Sequence, residues 1–105
     1  MTWCVAALAS DLREGEVLGT RVAGQPVALY RLGGEVFATH DICTHAEACM
    51  SDGYLEDGVI ECPLHQARFD VRTGRVLSGP TDVPLATYPV RLEEDRLLVQ
   101  MPGEG

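Results

Sequence analysis

The sequence is short of positive charge. Eight lysine plus arginine residues face 16 aspartates and glutamates, for a formal net charge of −8. So acidic a surface repels phosphate backbones and anionic headgroups, which argues against nucleic acid and against membranes as partners. It favours a basic protein face instead. Long apolar runs are missing too. The longest is Trp3 to Ala9, whereas a bilayer span needs about 20 such residues. No basic residue precedes that run and there is no twin-arginine pair, so the expectation is no secretory signal and a cytoplasmic protein. Linkers, repeats and low-complexity stretches are also lacking, and the one loose segment is the tail from Pro102 to Gly105. No window of about 12 residues sustains a 3.6-residue apolar period, which excludes long helices. No glycine loop of the phosphate-cradling kind occurs. Ser51-Asp52 and Thr81-Asp82 have no histidine predicted beside them, so no catalytic residue is expected.

What is present points to a small β domain. The 105 residues suit one domain spanning 1–105, and the 46% apolar content is that of a globular chain. Eleven glycines and six prolines signal many turns. Short strands are expected at Thr2–Ala6, Val17–Val22, Val27–Leu32, Glu35–Thr39, Gly58–Glu61, Ala67–Val71, Arg75–Leu77, Leu85–Leu92 and Arg96–Met101. Gly33-Gly34 and Thr73-Gly74 read as hairpin turns, and Glu93 to Asp95 as an acidic one. Ser10 to Gly15 could hold one helical turn, with Ser10 as its cap and Glu14 acidic near its start. Some eight to ten short strands in a chain of this size imply an all-β sandwich or barrel-like fold.

The chemistry lies in cysteine and histidine. Disulfides are rare in the cytosol, so Cys4, Cys43, Cys49 and Cys62 are better read as metal ligands or buried thiols. Two of them sit beside histidines, in Cys43-Thr44-His45 and Cys62-Pro63-Leu64-His65. Each pair follows an expected strand and so lies on a loop. Two thiolates and two imidazoles suit zinc or an iron–sulfur centre. Zinc sites usually take like ligands from each close pair, whereas here each loop carries one cysteine and one histidine. That mixed pairing favours a two-metal object spanned by both loops, with a mononuclear zinc site as the alternative.

The two motifs at this spacing resemble the Rieske [2Fe–2S] proteins. The likeness runs on through Asp52-Gly53-Tyr54-Leu55, Phe69-Asp70-Val71-Arg72-Thr73-Gly74 and Gly79-Pro80. Within that family the chain looks most like the ferredoxins of bacterial aromatic-ring-hydroxylating dioxygenases. The resemblance implies three small antiparallel sheets with two cluster-binding loops at one tip. It implies that Cys43 and Cys62 ligate one iron, that His45 and His65 ligate the other, and that the Gly79-Pro80 segment covers the cluster. It further implies a one-electron carrier fed by a flavin-dependent ferredoxin reductase and discharging into a terminal Rieske oxygenase. A small Rieske subunit of an assimilatory nitrite reductase is the alternative. Ala46 and Gln66 stand where relatives often place glycine.

High-potential Rieske proteins carry a serine two residues and a tyrosine four residues after the second ligand histidine. Here those positions are Ala67 and Phe69. Without hydroxyls to stabilise added negative charge, a potential near the lower end of the Rieske range, about −150 mV, is expected. The respiratory relatives also join their loops by a disulfide. Cys49 could be one half, but Leu64 holds the partner position, so no such bond is expected. Elsewhere, His40 reads as a packed or solvated strand-end residue and Cys4 as a small apolar strand residue.

Overall fold

The computed structural model describes residues 2–44, 47–64 and 66–102. Met1, His45, Ala46, His65 and residues 103–105 lie outside the described residues. The order is β1 (Thr2–Leu8), a 3₁₀ turn (Ala9–Asp11), β2 (Val17–Val22), β3 (Gln25–Leu32), β4 (Glu35–His40), a second 3₁₀ turn (Met50–Asp52), β5 (Tyr54–Glu56), β6 (Val59–Glu61), β7 (Arg68–Asp70), β8 (Val76–Ser78), β9 (Thr87–Tyr88), β10 (Val90–Glu93) and β11 (Arg96–Met101). They form three antiparallel sheets, ordered β1-β11-β10, β2-β3-β4-β9 and β5-β6-β7-β8. The all-β expectation of three small sheets is met.

Strand β3 organises the interior. Its side chains alternate between faces with the period of two that a pleated strand dictates. Ala28, Tyr30 and Leu32 enter one core with Met50, Ile60, Phe69, Val71, Cys43 and Cys62. Val27 and Leu29 enter a second core with Leu12, Val22, Ala38, Leu97, Val99 and Met101. The central sheet therefore has an apolar layer on each face, and the two cysteines of the paired motifs belong to the first layer. Tyr30 is fully buried there, and its hydroxyl is bonded to the Thr39 hydroxyl at 2.8 Å. An unpaired buried hydroxyl would be costly, so this bond keeps the layer closed.

The turns explain the register. Gly33 and Gly34 adopt φ of 61° and 83°, and Leu32 pairs with Glu35 across them. This is the left-handed pair that a tight two-residue hairpin requires. The Glu14 carboxylate accepts the Gly33 and Gly34 amide protons at 2.6 and 2.9 Å, and these bonds hold its pKa below the usual carboxylate value. Glu14 therefore pins a hairpin rather than opening a helical turn. The expected cap is also reassigned: the Ala9–Asp11 turn is closed by the Leu8 amide donating to the Asp11 carboxylate at 3.1 Å, not by Ser10.

Several strand boundaries differ from expectation: β1 runs on to Leu8, β3 begins at Gln25, β6 at Val59, β7 is trimmed to Arg68–Asp70 and β8 is shifted to Val76–Ser78. The stretch Leu85–Leu92 is divided into β9 and β10, because Pro89 has no amide proton to give to a ladder. Strand β5 was not anticipated. It pairs with β6 across Asp57 and Gly58, whose φ values of 53° and 77° make another tight turn.

Candidate metal centre

The two motif loops are built alike. The Cys43 amide donates to the Ala48 carbonyl at 2.8 Å, and the Cys62 amide donates to the Ala67 carbonyl at 2.7 Å. Each cysteine thus begins a loop closed by a hydrogen bond to the alanine five positions on. His45 falls inside the first closure and His65 inside the second, though both lie outside the described residues. Cys43, Ala48, Cys62 and Ala67 are all buried and share one core.

The loops come from different places. The second leaves β6 directly at Cys62 and returns into β7 at Arg68, so the ladder that pairs Ile60 with Phe69 and Glu61 with Arg68 holds it. An exposed Arg68–Glu61 ion pair at 3.5 Å adds little. The first loop begins after β4 and carries only an isolated bridge, Ile42 to Cys49, at its base.

A third segment joins them. The Thr44 hydroxyl donates to the Val83 carbonyl at 2.8 Å and lies 3.2 Å from the Thr81 hydroxyl. Gly79, at φ 114°, is packed so closely that an added Cβ would stand 2.6 Å from the Ala67 Cα. The segment anticipated at Gly79-Pro80 therefore touches both loops, one through a hydroxyl and the other through a missing side chain.

The donor chemistry fits a thiolate-bound metal group. The Cys62 thiol is pushed up, first by burial and then by the neighbouring Cys43 thiol, with the Leu64 amide pulling the other way. The buried Cys62 thiol, which faces the Cys43 thiol in an apolar layer, is a poor stand-alone acid. A bound metal's positive charge would displace their protons and convert the pair into ligands. Ala67 and Phe69 are fully buried in the same layer, and neither carries a hydroxyl.

His40 and Cys4 fall where the sequence places them. His40 ends β4, half-buried, with its Nδ1 3.5 Å from the Tyr88 hydroxyl. Cys4 packs beside the second core. Cys49 is half-buried at the base of the first loop, and burial raises its pKa. Gln66 adopts φ 58°, the left-handed region that glycine enters freely. The second loop thus holds a non-glycine residue in the left-handed region, while Ala46 lies outside the described residues. One participant went unrecognised in the sequence. Asp41 is buried, and its carboxylate accepts both the Ser51 amide at 2.8 Å and the Ser51 hydroxyl at 2.9 Å.

Comparison with known proteins agrees with this geometry. The Rieske [2Fe–2S] domain model matches residues 2–89. The ferredoxin component of the naphthalene 1,2-dioxygenase system of Pseudomonas putida is 50% identical over 99 residues, covering 94% of this chain and 95% of that one. The ferredoxin component of biphenyl 2,3-dioxygenase from Rhodococcus jostii (strain RHA1) is 48% identical over 93 residues, covering 89% and 87%. Among solved structures, the ferredoxin of Sphingomonas yanoikuyae B1 superposes with a TM-score of 0.88 at 33% identity, covering 93% of this chain and 97% of that one. A chain of the complex of reduced oxygenase and oxidized ferredoxin in carbazole 1,9a-dioxygenase gives 0.85 at 41% identity, covering 92% and 91%. Two loops that each begin at a buried cysteine in a three-sheet frame, with relatives matched over nearly their whole length, place this chain in the Rieske [2Fe–2S] family, among the ferredoxin components that carry electrons in aromatic-ring dioxygenase systems.

Proposed function

We propose that Cys43, His45, Cys62 and His65 hold the [2Fe–2S] cluster, each loop giving one sulfur and one nitrogen. The observation that carries this reading is the matched pair of closures, Cys43 to Ala48 and Cys62 to Ala67, with a motif histidine inside each. When bound, the cluster supplies reversible one-electron storage with little change in shape. The chain's own residues do the rest. Cys43 and Cys62 anchor from within the core, and the backbone closures to Ala48 and Ala67 hold the two loops that carry them. Thr44, Gly79 and Ala67 keep the third segment against both loops and limit water on that side. No open coordination position would remain for a substrate, so binding and oxidation of the aromatic compound belong to a partner.

The electron would come from a flavin-dependent ferredoxin reductase and pass to a terminal Rieske oxygenase, in a cytoplasmic system using neither nucleic acid nor membrane. The oxygenase is supported by the carbazole 1,9a-dioxygenase complex, which holds an oxygenase and a ferredoxin together. Among the described residues, no helix is long and apolar enough to cross a membrane. Leu64 and Val83, both about half exposed, flank the loops with apolar surface, and the net charge of −8 attracts basic partners. The pairing of β1 with β11 brings the two ends of the chain into one sheet, which supports one domain across 1–105. The test is reconstitution with purified reductase and oxygenase. Product should form only when this protein is present, and more slowly as salt screens the encounter. Equal turnover without it would reject the reading.

A further inference from the structure

The two loops need the same precision from unequal supports. The second is a continuation of a strand pair. The first hangs from one isolated bridge, Ile42 to Cys49. Just outside that bridge stands Asp41, only 5% exposed. Its backbone amide donates to Pro26 of β3 at 3.1 Å, and its carbonyl accepts the Met50 amide at 2.6 Å. Its two carboxylate oxygens take the amide and hydroxyl of Ser51. Among the described residues, no ion pair involves Asp41. A buried carboxylate held only by directed hydrogen bonds is an expensive way to fill space, since an apolar side chain would do that without desolvation cost. What it adds is direction. Both of its acceptors point at Ser51, three residues past the Ala48 closure.

Strand β2 makes room for the pair. A Cβ on Gly19 would stand 2.9 Å from the Ser51 Cβ and 3.0 Å from an Asp41 carboxylate oxygen. Gly19 does not have a positive φ, so its backbone does not call for glycine and the requirement is the space itself. The second loop has no counterpart. The residues at the same offsets there are Ile60 and Asp70, members of β6 and β7, and Ile60 pairs with Phe69 in the ladder.

We propose that Asp41 is a positioning residue for the cluster, clamping the mouth of the first loop through Ser51 in the space left by Gly19 and so fixing how Cys43 is presented. This rests on the ligand reading above. It assigns to side-chain hydrogen bonds the work that a strand ladder does for the other loop.

The experiment uses the cluster-loaded protein and the variants Asp41→Ala, Asp41→Asn, Ser51→Ala and Gly19→Ala, with Arg68→Ala at the base of the second loop as control. Four readouts are taken: iron loss to a chelator, the electron paramagnetic resonance line shape of the reduced state, the midpoint potential and the unfolding temperature. Asp41→Ala should lose iron about tenfold faster and broaden the spectrum, from the loss of charge-assisted bonds. Ser51→Ala and Gly19→Ala should move the same way by a few-fold. Asp41→Asn should stay within about twofold of the parent, because its carbonyl can accept the Ser51 amide while its amide donates to the Ser51 hydroxyl. Arg68→Ala should match the parent. Unchanged iron loss and spectra in Asp41→Ala, Ser51→Ala and Gly19→Ala overturn the proposal. So does a fall in unfolding temperature with spectra and potential unmoved, which marks a structural role alone. A parent protein without histidine nitrogen couplings overturns the ligand assignment instead, and that result is visible before any variant is made.

Discussion

The loop at 43–48 and the loop at 62–67 close by the same hydrogen bond, yet they are carried by different means. The second is the tip of the β6–β7 hairpin, so backbone pairing holds it on both sides. The first is an excursion between β4 and a 3₁₀ turn, held by one bridge, by Asp41 and Ser51, and by Thr44 reaching the third segment. A strand pair specifies geometry through its ladder with little help from side chains. A loop without strands has to obtain the same definition from buried polar groups, each of which must be fully satisfied. The pair of motif loops therefore has a backbone-defined half and a side-chain-defined half.

Substitutions at the ligands should treat the halves alike. Cys43→Ser and Cys62→Ser should each abolish cluster retention, read as loss of iron, sulfide and the red-brown colour. A variant that kept full iron content would remove that cysteine from the ligand set. The next largest effect should fall on the second loop alone. Gly79→Ala forces a Cβ against Ala67 at a φ of 114°, and should lower stability by about 2 kcal/mol in chemical unfolding.

The potential gives a finer probe. Ala67→Ser and Phe69→Tyr place hydroxyls in the thiol-bearing layer and should each raise the midpoint potential by on the order of 50 mV, the equivalent of about one hydrogen bond. Voltammetry showing no rise in the double variant would mean that these positions do not face the cluster. A smaller change runs the other way in sign. Gln66→Gly relieves a left-handed residue and should stabilise the second loop by about 1 kcal/mol, as judged by thermal unfolding.

The smallest effect lies away from the site. Glu14 has its pKa lowered by the Gly33 and Gly34 amides. Its contribution is present above the unfolded-state carboxylate pKa and is lost as pH falls through the lower folded value. Glu14→Gln should therefore unfold more easily than the parent at neutral pH, with the gap narrowing in acid.

The legibility of the sequence follows the same division. Apolar runs bounded by turn residues were readable: β2 and β11 lie where their apolar runs place them, and Gly33-Gly34 turns the chain as anticipated. The Cys-x-His and Cys-x-x-His spacings pointed to both loops, because ligand chemistry restricts residue type, whereas the closures onto Ala48 and Ala67 carry no signature of their own. Strand β5 escaped notice although Asp57-Gly58 is a strong hairpin signal, since three residues are too few to show a period. Pro89 should have divided Leu85–Leu92, and the apolar run outweighed it. Asp41 was invisible for a different reason. An aspartate beside a loop looks solvated in a linear reading, and only the approach of Ser51 and Gly19 from distant positions reveals it as buried.

The central claim is that each loop contributes one sulfur and one nitrogen to a single two-iron cluster. Pulsed electron paramagnetic resonance of the dithionite-reduced protein, grown with ¹⁵N-histidine, addresses it directly. Two distinct histidine nitrogens should couple to the unpaired spin, with an average g below that of an all-cysteine centre. A spectrum with an all-cysteine average g and no change on isotopic substitution would contradict the account.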